Sequence, residues 1–215
     1  MGASGTVNLI ICGVGGQGVI LISEILGSAA VKDGIPVAGS EIHGMAARGG
    51  SVSSHIRIGK GALAPTVPIG KCDILLSMEP AEALRNVSYL SEHPLVLLNT
   101  QIIFPYTVSL GRSCYPPLDK ITNELAALSA QVVAIDAFRI AEQAGNAQTV
   151  NTAMIGCLLG SGKLPISTET VKKEIETRFG PRAPANLKAF DLGYRTCERS
   201  ITPETKEGKD SKEGI

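Results

Sequence analysis

The chain has 215 residues, 44% hydrophobic and 19% charged, which supplies one large buried core and excludes a disordered or collagen-like polymer. Its 20 basic and 20 acidic residues cancel to a formal net charge of +0, so no long-range field draws it to nucleic acid or to an anionic membrane. The five cysteines, Cys12, Cys72, Cys114, Cys157 and Cys197, stand far apart without a CxxC pair or a Cys/His cluster, which argues against zinc or iron–sulfur ligation and for small apolar side chains in a reducing cytosol.

The opening MGASGTVNLII lacks a basic region ahead of a long apolar core, and no apolar stretch approaches the roughly 18 residues that span a bilayer. A soluble, cytoplasmic protein is expected. Gly2 and Thr6 superficially fit a myristoylation signal, but the residues between them run straight into a predicted strand, so lipidation is not expected.

TVNLIIC is a short apolar run suited to a buried parallel strand, and Val19, Ile22, Ile25, Leu26 and Ala29 then recur at helical spacing until Lys32 and Gly34. IPVAGS reads as a second strand, completing a βαβ unit through a right-handed crossover. SVSSHIRI alternates, which predicts Val52, Ile56 and Ile58 on a core face and Ser51, Ser53, His55 and Arg57 on a face carrying polar chemistry. The loop before it is too short for a crossover helix, so this strand is expected to run antiparallel to a neighbour.

CDILLSM is the next strand, followed by a helix opening at Pro80 and by the strand PLVLLNT, with His93 in a loop. QIIFPYTVSLGRSCYPPL is proline-rich and reads as loops or short strands; QVVAIDA gives another strand, and FRIAEQAG a helix stopped by Gly145. Three helical stretches remain, NTAMIGCLLGSG, STETVKKEIETRFG and PANLKAFDLGYRTCERS. In the first, Ala153, Gly156 and Gly160 are small enough for close packing, which predicts deep burial. The sum is a three-layer α/β/α domain over residues 1–201 around a mostly parallel, mixed sheet, with residues 202–215 as a disordered polar tail.

Two segments carry chemistry. GVGGQGV places Gly13, Gly15 and Gly18 at the spacing of a dinucleotide-binding turn, where a helix N-terminus offers free N–H groups to an anion. Glu41 stands where such a fold binds ribose, so a free-standing NAD(P)- or FAD-dependent dehydrogenase is one reading. A tight strand-to-helix turn is the other, since GxGxxG alone is a weak signal.

The second segment, SEIHGMAARGGSVSSHIRIG, gathers Glu41, His43, Arg48, His55 and Arg57 beside glycines. Loops after successive strands of an open sheet share its carboxyl edge, so the two glycine-rich loops should face one another. Arg48, next to Gly49 and Gly50, suits a carboxylate or phosphate, and His43 suits acid–base or polar contact. An Arg48–Glu41 ion pair and a His43 that packs at a subunit interface are equally compatible with the sequence. No Ser-His-Asp triad or metal ligand set is recognisable.

GVGGQGV followed by EIHGMAARGGSVSSHIRIG resembles the gamma-type domain of 2-oxoacid:ferredoxin oxidoreductases, and the HGMAARGG version resembles the small beta subunits of the indolepyruvate enzymes. NTAMIGCLLGSGKLPIS and NLKAFDLGY are similar to the C-terminal helices of those subunits, so the likeness runs from Val7 to Tyr194. The resemblance implies CoA-dependent oxidative decarboxylation of an aryl pyruvate, with ferredoxin as electron acceptor. It also implies a large partner subunit that carries thiamine diphosphate, magnesium and 4Fe-4S clusters, this chain binding none of them and being inactive alone. The positions it carries over as cofactor-binding are Gly13, Gly15, Gly16, Gln17, Gly18, His43, Gly44, Arg48, Gly49 and Gly50, with no catalytic residue. A purely structural interface subunit of a pyruvate or branched-chain enzyme is the remaining alternative.

Overall fold

The computed structural model describes residues 5–44, 49–129 and 131–201. Arg48 and the tail 202–215 therefore lie outside the described residues. The elements are β1 (Val7–Val14), α1 (Val19–Lys32), β2 (Val37–His43), β3 (Ser51–Ile58), β4 (Cys72–Ser77), α2 (Pro80–Arg85), β5 (Leu90–Asn99), α3 (Tyr106–Ser109), α4 (Leu118–Leu128), β6 (Gln131–Ile135), α5 (Ala137–Ala144), α6 (Val150–Gly160), α7 (Thr168–Phe179) and α8 (Ala183–Ile201).

The six strands form one sheet in the order β2-β3-β1-β4-β5-β6. β1, β4, β5 and β6 pair in parallel, and β3 runs antiparallel to both β1 and β2. The mixed sheet and the antiparallel β3 are as the sequence predicts. The βαβ unit is not contiguous: β3 inserts between β1 and β2, because a seven-residue connection lets the chain turn back beside β2 and fill the open edge of β1.

Alternate residues of the central strands feed two cores. Leu9, Ile11, Ile74, Leu76, Leu95 and Leu97 meet α1 and the C-terminal helices on one face. Ile10, Cys12, Leu75, Val96 and Leu98 meet Ala83 of α2 and Ile121 and Leu125 of α4 on the other. Buried on both faces, these strands read as continuous apolar runs. α4 escapes sequence reasoning because its apolar stripe amounts to Ile121 and Leu125, one i,i+4 pair after a proline-rich stretch. His93 lies not in a loop but in the exposed first half of β5, where Pro94 coincides with an irregular register against β4.

The largest helix contact joins α6 to α8. Every residue of α6 from Thr152 to Leu159 is buried, as its small-residue pattern predicts. Gly156 and Gly160 lie directly against the carbonyls of Phe190 and Tyr194, and Gly193 of α8 lies against the carbonyl of Ala153. α1 and α7 are fastened by polar pairs at their outer surface: Glu174 with Lys32 and Ser28, Asp33 with Ser167 and Thr170, and Arg178 with Glu24.

The second face of β3 is not open to polar chemistry. Ser53 is 9% exposed and His55 1%, the latter held beneath segment 59–70, which donates Val67 N–H to His55 Nδ1 at 3.1 Å. The imidazole stands edge-on to Tyr89 with ring centroids 5.0 Å apart. Burial holds its pKa below the ordinary 6.5. A base so depressed contributes stability that is full above its unfolded value and lost as pH falls toward its folded one. Unfolding free energy from urea titrations should thus drop as pH falls through and below the ordinary imidazole value, and His55→Gln, which can still accept from Val67, should flatten that drop. An unchanged slope in the variant would remove His55 from the account.

Candidate functional site

The order of the strands makes β1/β4 the switch point of the sheet, since the chain leaves β1 toward β2 and leaves β4 toward β5 and β6. Ligands of open α/β sheets sit outside the carboxyl ends of the strands at such a point. The first glycine loop, 13–18, lies there. Gly13 is closed in on three sides, an added Cβ meeting Gln17 Oε1 at 2.8 Å, Met78 Cβ at 2.9 Å and Val19 Cγ2 at 3.1 Å. Gly16 and Gly18 take φ of 103° and 79°, backbone that side-chain-bearing residues avoid. Gln17 ties the turn down: its Oε1 accepts Val14 N–H at 2.9 Å and its Nε2 donates to Met78 O at 2.8 Å.

The two loops face one another as the sequence predicts. Gly15 N–H donates to Gly50 O at 2.8 Å, and Gly44 N–H to Ser51 O at 2.8 Å, closing the second loop where it re-enters the sheet. Gly15, Gly16, Gly18, His43 and Gly44 line one cavity of about 680 Å³, with the Glu24–Arg178 pair at its rim. That volume falls within the range of small-molecule sites, about 300 to 1,000 Å³. His43 is half exposed at the end of β2, its Nε2 3.3 Å from Glu41 Oε2. His55 and Arg57 do not join this group: the first is sealed beneath segment 59–70, and Arg57 donates to Asn8 Oδ1 at 2.9 Å at the opposite end of the sheet.

The glycine loop has a second side that sequence reasoning missed. Gln17, Gln101, Gln148 and Asn151 surround a cavity of about 480 Å³ with Gly16, Gly18, Met78 and Ile103. The amides come from three separate segments, Gln148 and Asn151 flanking the start of α6, so no local spacing announces the set. Beside it, Glu79 caps α2 by accepting Glu82 N–H at 3.2 Å, and Tyr115 donates its hydroxyl to Glu79 Oε1 at 2.5 Å. Burial, then the bond to Glu79, pushes the Tyr115 hydroxyl well above the ordinary phenol range.

Glu41 does not stand where a dinucleotide fold needs its ribose acid. In that fold the second strand neighbours the first, whereas here β3 lies between them and Glu41 pairs across it with Ser54. NADH titrated into the purified chain should therefore give no saturable fluorescence change up to about 1 mM, roughly a −4 kcal/mol ceiling. Micromolar saturation would restore the dehydrogenase reading.

Among the described residues no group of three or more His, Cys, Asp and Glu side chains could hold a metal ion, and no helix is long and apolar enough to cross a membrane. Cys12, Cys72, Cys157 and Cys197 are buried, and burial raises each thiol above its ordinary range, so none is disposed as a thiolate ligand.

Residues 8–196 match the family model described as pyruvate ferredoxin/flavodoxin oxidoreductase. The chain is 42% identical to the indolepyruvate oxidoreductase subunit IorB of Archaeoglobus fulgidus over 87% of its own length and 93% of that protein. It is 40% identical to the subunit of the same name from Pyrococcus horikoshii, over 90% of its own length and 97% of the relative. Its fold superposes with a TM-score of 0.67 on the pyruvate oxidoreductase subunit PORC of Thermotoga maritima, at 24% identity and covering 89% of this chain and 96% of that one. With the paired glycine loops at the β1/β4 edge and nearly the whole chain matched, this protein belongs to the pyruvate ferredoxin/flavodoxin oxidoreductase family.

Proposed function

We propose that the chain is the small subunit of an indolepyruvate-type 2-oxoacid:ferredoxin oxidoreductase, completing a site for CoA-dependent oxidative decarboxylation of an aryl pyruvate. The observation that carries the substrate class is the gap in identity, 42% to a named indolepyruvate subunit against 28% to a named pyruvate synthase subunit. The large partner subunit supplies thiamine diphosphate as the electron sink for decarboxylation, together with magnesium, and 4Fe-4S clusters that pass single electrons to ferredoxin. This chain's own residues bind and orient. Loop 13–18 presents the N-terminus of α1 to an anionic group, with His43 and Gly44 on the same cavity wall, which fits the phosphates of CoA. Arg48 adds an anion contact and His43 a polar contact at the seam between the subunits.

The partner covers the carboxyl edge of the sheet. Ile103, Phe104, Tyr106 and Leu110 are exposed on the segment beside the second cavity, a concentration of apolar surface that fits an interface. Phe104, 58% exposed and edge-on to Tyr115, is the expected anchor. Phe104→Asp should weaken assembly with the large subunit at least tenfold, read by co-purification and by sedimentation, while leaving the chain's own melting temperature nearly unchanged.

The complex, co-expressed and assayed for acceptor reduction, should favour indolepyruvate over pyruvate by at least tenfold in kcat/KM, about 1.4 kcal/mol of transition-state discrimination. Equal use of both would overturn the substrate class. Arg48→Ala should raise the KM for CoA with assembly intact; an unchanged KM removes the anion contact, and weakened assembly with an unchanged KM makes Arg48 an interface residue instead.

A further inference from the structure

The second glycine loop is held from below by a buried carboxylate that the proposed chemistry does not use. Glu82 occupies the third position of α2, and in the common helix-start arrangement its side chain would turn back to the N–H of the capping residue, Glu79. Instead it turns toward the sheet. Ser51 donates its hydroxyl to Glu82 Oε2 at 2.5 Å, and Arg85 Nε lies 3.1 Å from Glu82 Oε1, with Glu82 itself only 4% exposed.

Ser51 is the root of the loop. Its carbonyl accepts Gly44 N–H and the carbonyl before it, on Gly50, accepts Gly15 N–H, so one dipeptide joins β2, the first glycine loop and, through Glu82, α2. A charge-assisted hydrogen bond out of water is about twice as strong as a neutral one. Burial, with the neighbouring Glu79, raises the Glu82 pKa on balance, although the Ser51 hydroxyl and the Arg85 guanidinium favour its charged form.

We propose that Glu82 is a positioning residue: through Ser51 it fixes Gly44 and Gly50 against the first glycine loop, and thereby sets the affinity of that edge for its anionic ligand. This rests on the reading of the two loops as the CoA-binding edge. Two measurements separate the inference from that reading. In the full chain, amide exchange by NMR should quicken about tenfold at Gly15 and Gly44 in Ser51→Ala and Glu82→Ala, with core amides of α6 and α8 unaffected. Glu82→Gln, whose amide oxygen still accepts from Ser51, should keep most of the protection. In the assembled complex, Ser51→Ala should raise the KM for CoA about fivefold with kcat within about twofold, the split expected of lost ligand binding rather than lost chemistry.

Unchanged exchange at Gly15 and Gly44, or exchange that quickens equally throughout α6 and α8, overturns the proposal. So does quicker loop exchange with an unaltered KM for CoA. A wild-type complex that turns over a 2-oxo acid without needing CoA would instead sink the proposed function, and the exchange data would still decide whether Glu82 fastens the loop.

Discussion

Gly156→Ala is expected to lower the unfolding free energy by about 3 kcal/mol, the upper end of what overpacking a core costs. The added methyl would fall inside the van der Waals radius of the Phe190 carbonyl, which is backbone and cannot rotate away. Separating α6 from α8 would relieve the clash only by opening the contacts of Cys157, Leu158 and Phe190, all fully buried. Gly193 would meet Ala153 in the same way from the facing helix, so the variants Gly156→Ala and Gly193→Ala should be similarly damaging and should not add. For a chain of this size the melting temperature should fall by roughly 6–12 °C. Gly27→Ala provides the opposite sign: nothing lies within 4 Å of its added Cβ in the middle of α1, so better helix propensity should stabilise by about 0.5–1 kcal/mol. Calorimetry on the variants checks both signs, and a neutral Gly156→Ala would contradict the packing described.

Gly13→Ala is expected to damage the site and the fold together. Its methyl would press on Gln17 Oε1, Met78 Cβ and Val19 Cγ2 at once, and although the Gln17 side chain can swing aside, Met78 Cβ cannot. Moving Gln17 abandons the N–H of Val14 and the carbonyl of Met78, and an orphaned buried backbone group costs about 1–3 kcal/mol. We expect a loss of about 2–3 kcal/mol in stability and, in the complex, at least a tenfold fall in CoA-dependent kcat/KM. Gln17→Ala, which removes the latch without the clash, should lose less stability and a comparable share of activity. Full CoA-dependent activity in Gly13→Ala would dissociate the glycine loop from the site.

What the sequence made legible follows from which interactions are local. A turn, a helix start and an apolar period are written in adjacent residues, so β1, the glycine loop, α1 and the Gly145 stop follow from spacing, and the small residues of α6 announce the close approach of α8. The facing of the two loops also follows, because both leave carboxyl ends of neighbouring parts of one sheet. The insertion of β3 between β1 and β2 does not, since alternation in SVSSHIRI states which residues share a face and not which strand lies alongside. The same ignorance of neighbours hides the cover over His55, a matter of segment 59–70 folding across it. The amide of Gln101 and those of Gln148 and Asn151 converge on Gln17 from two distant stretches of chain, and nothing in their own surroundings marks them. Glu82 sits in an ordinary helix start, EPAE, and its turn toward Ser51 is a tertiary fact.

On the proposed function, this polypeptide shapes an active centre whose electron carriers belong to another subunit. The direct test is acceptor reduction by a 2-oxo acid and CoA, measured for the purified chain, for the large subunit and for the two combined. The expected result is no turnover by this chain, and full turnover only in the mixture. Turnover by this chain by itself, or an undiminished rate from the large subunit without it, would contradict the account.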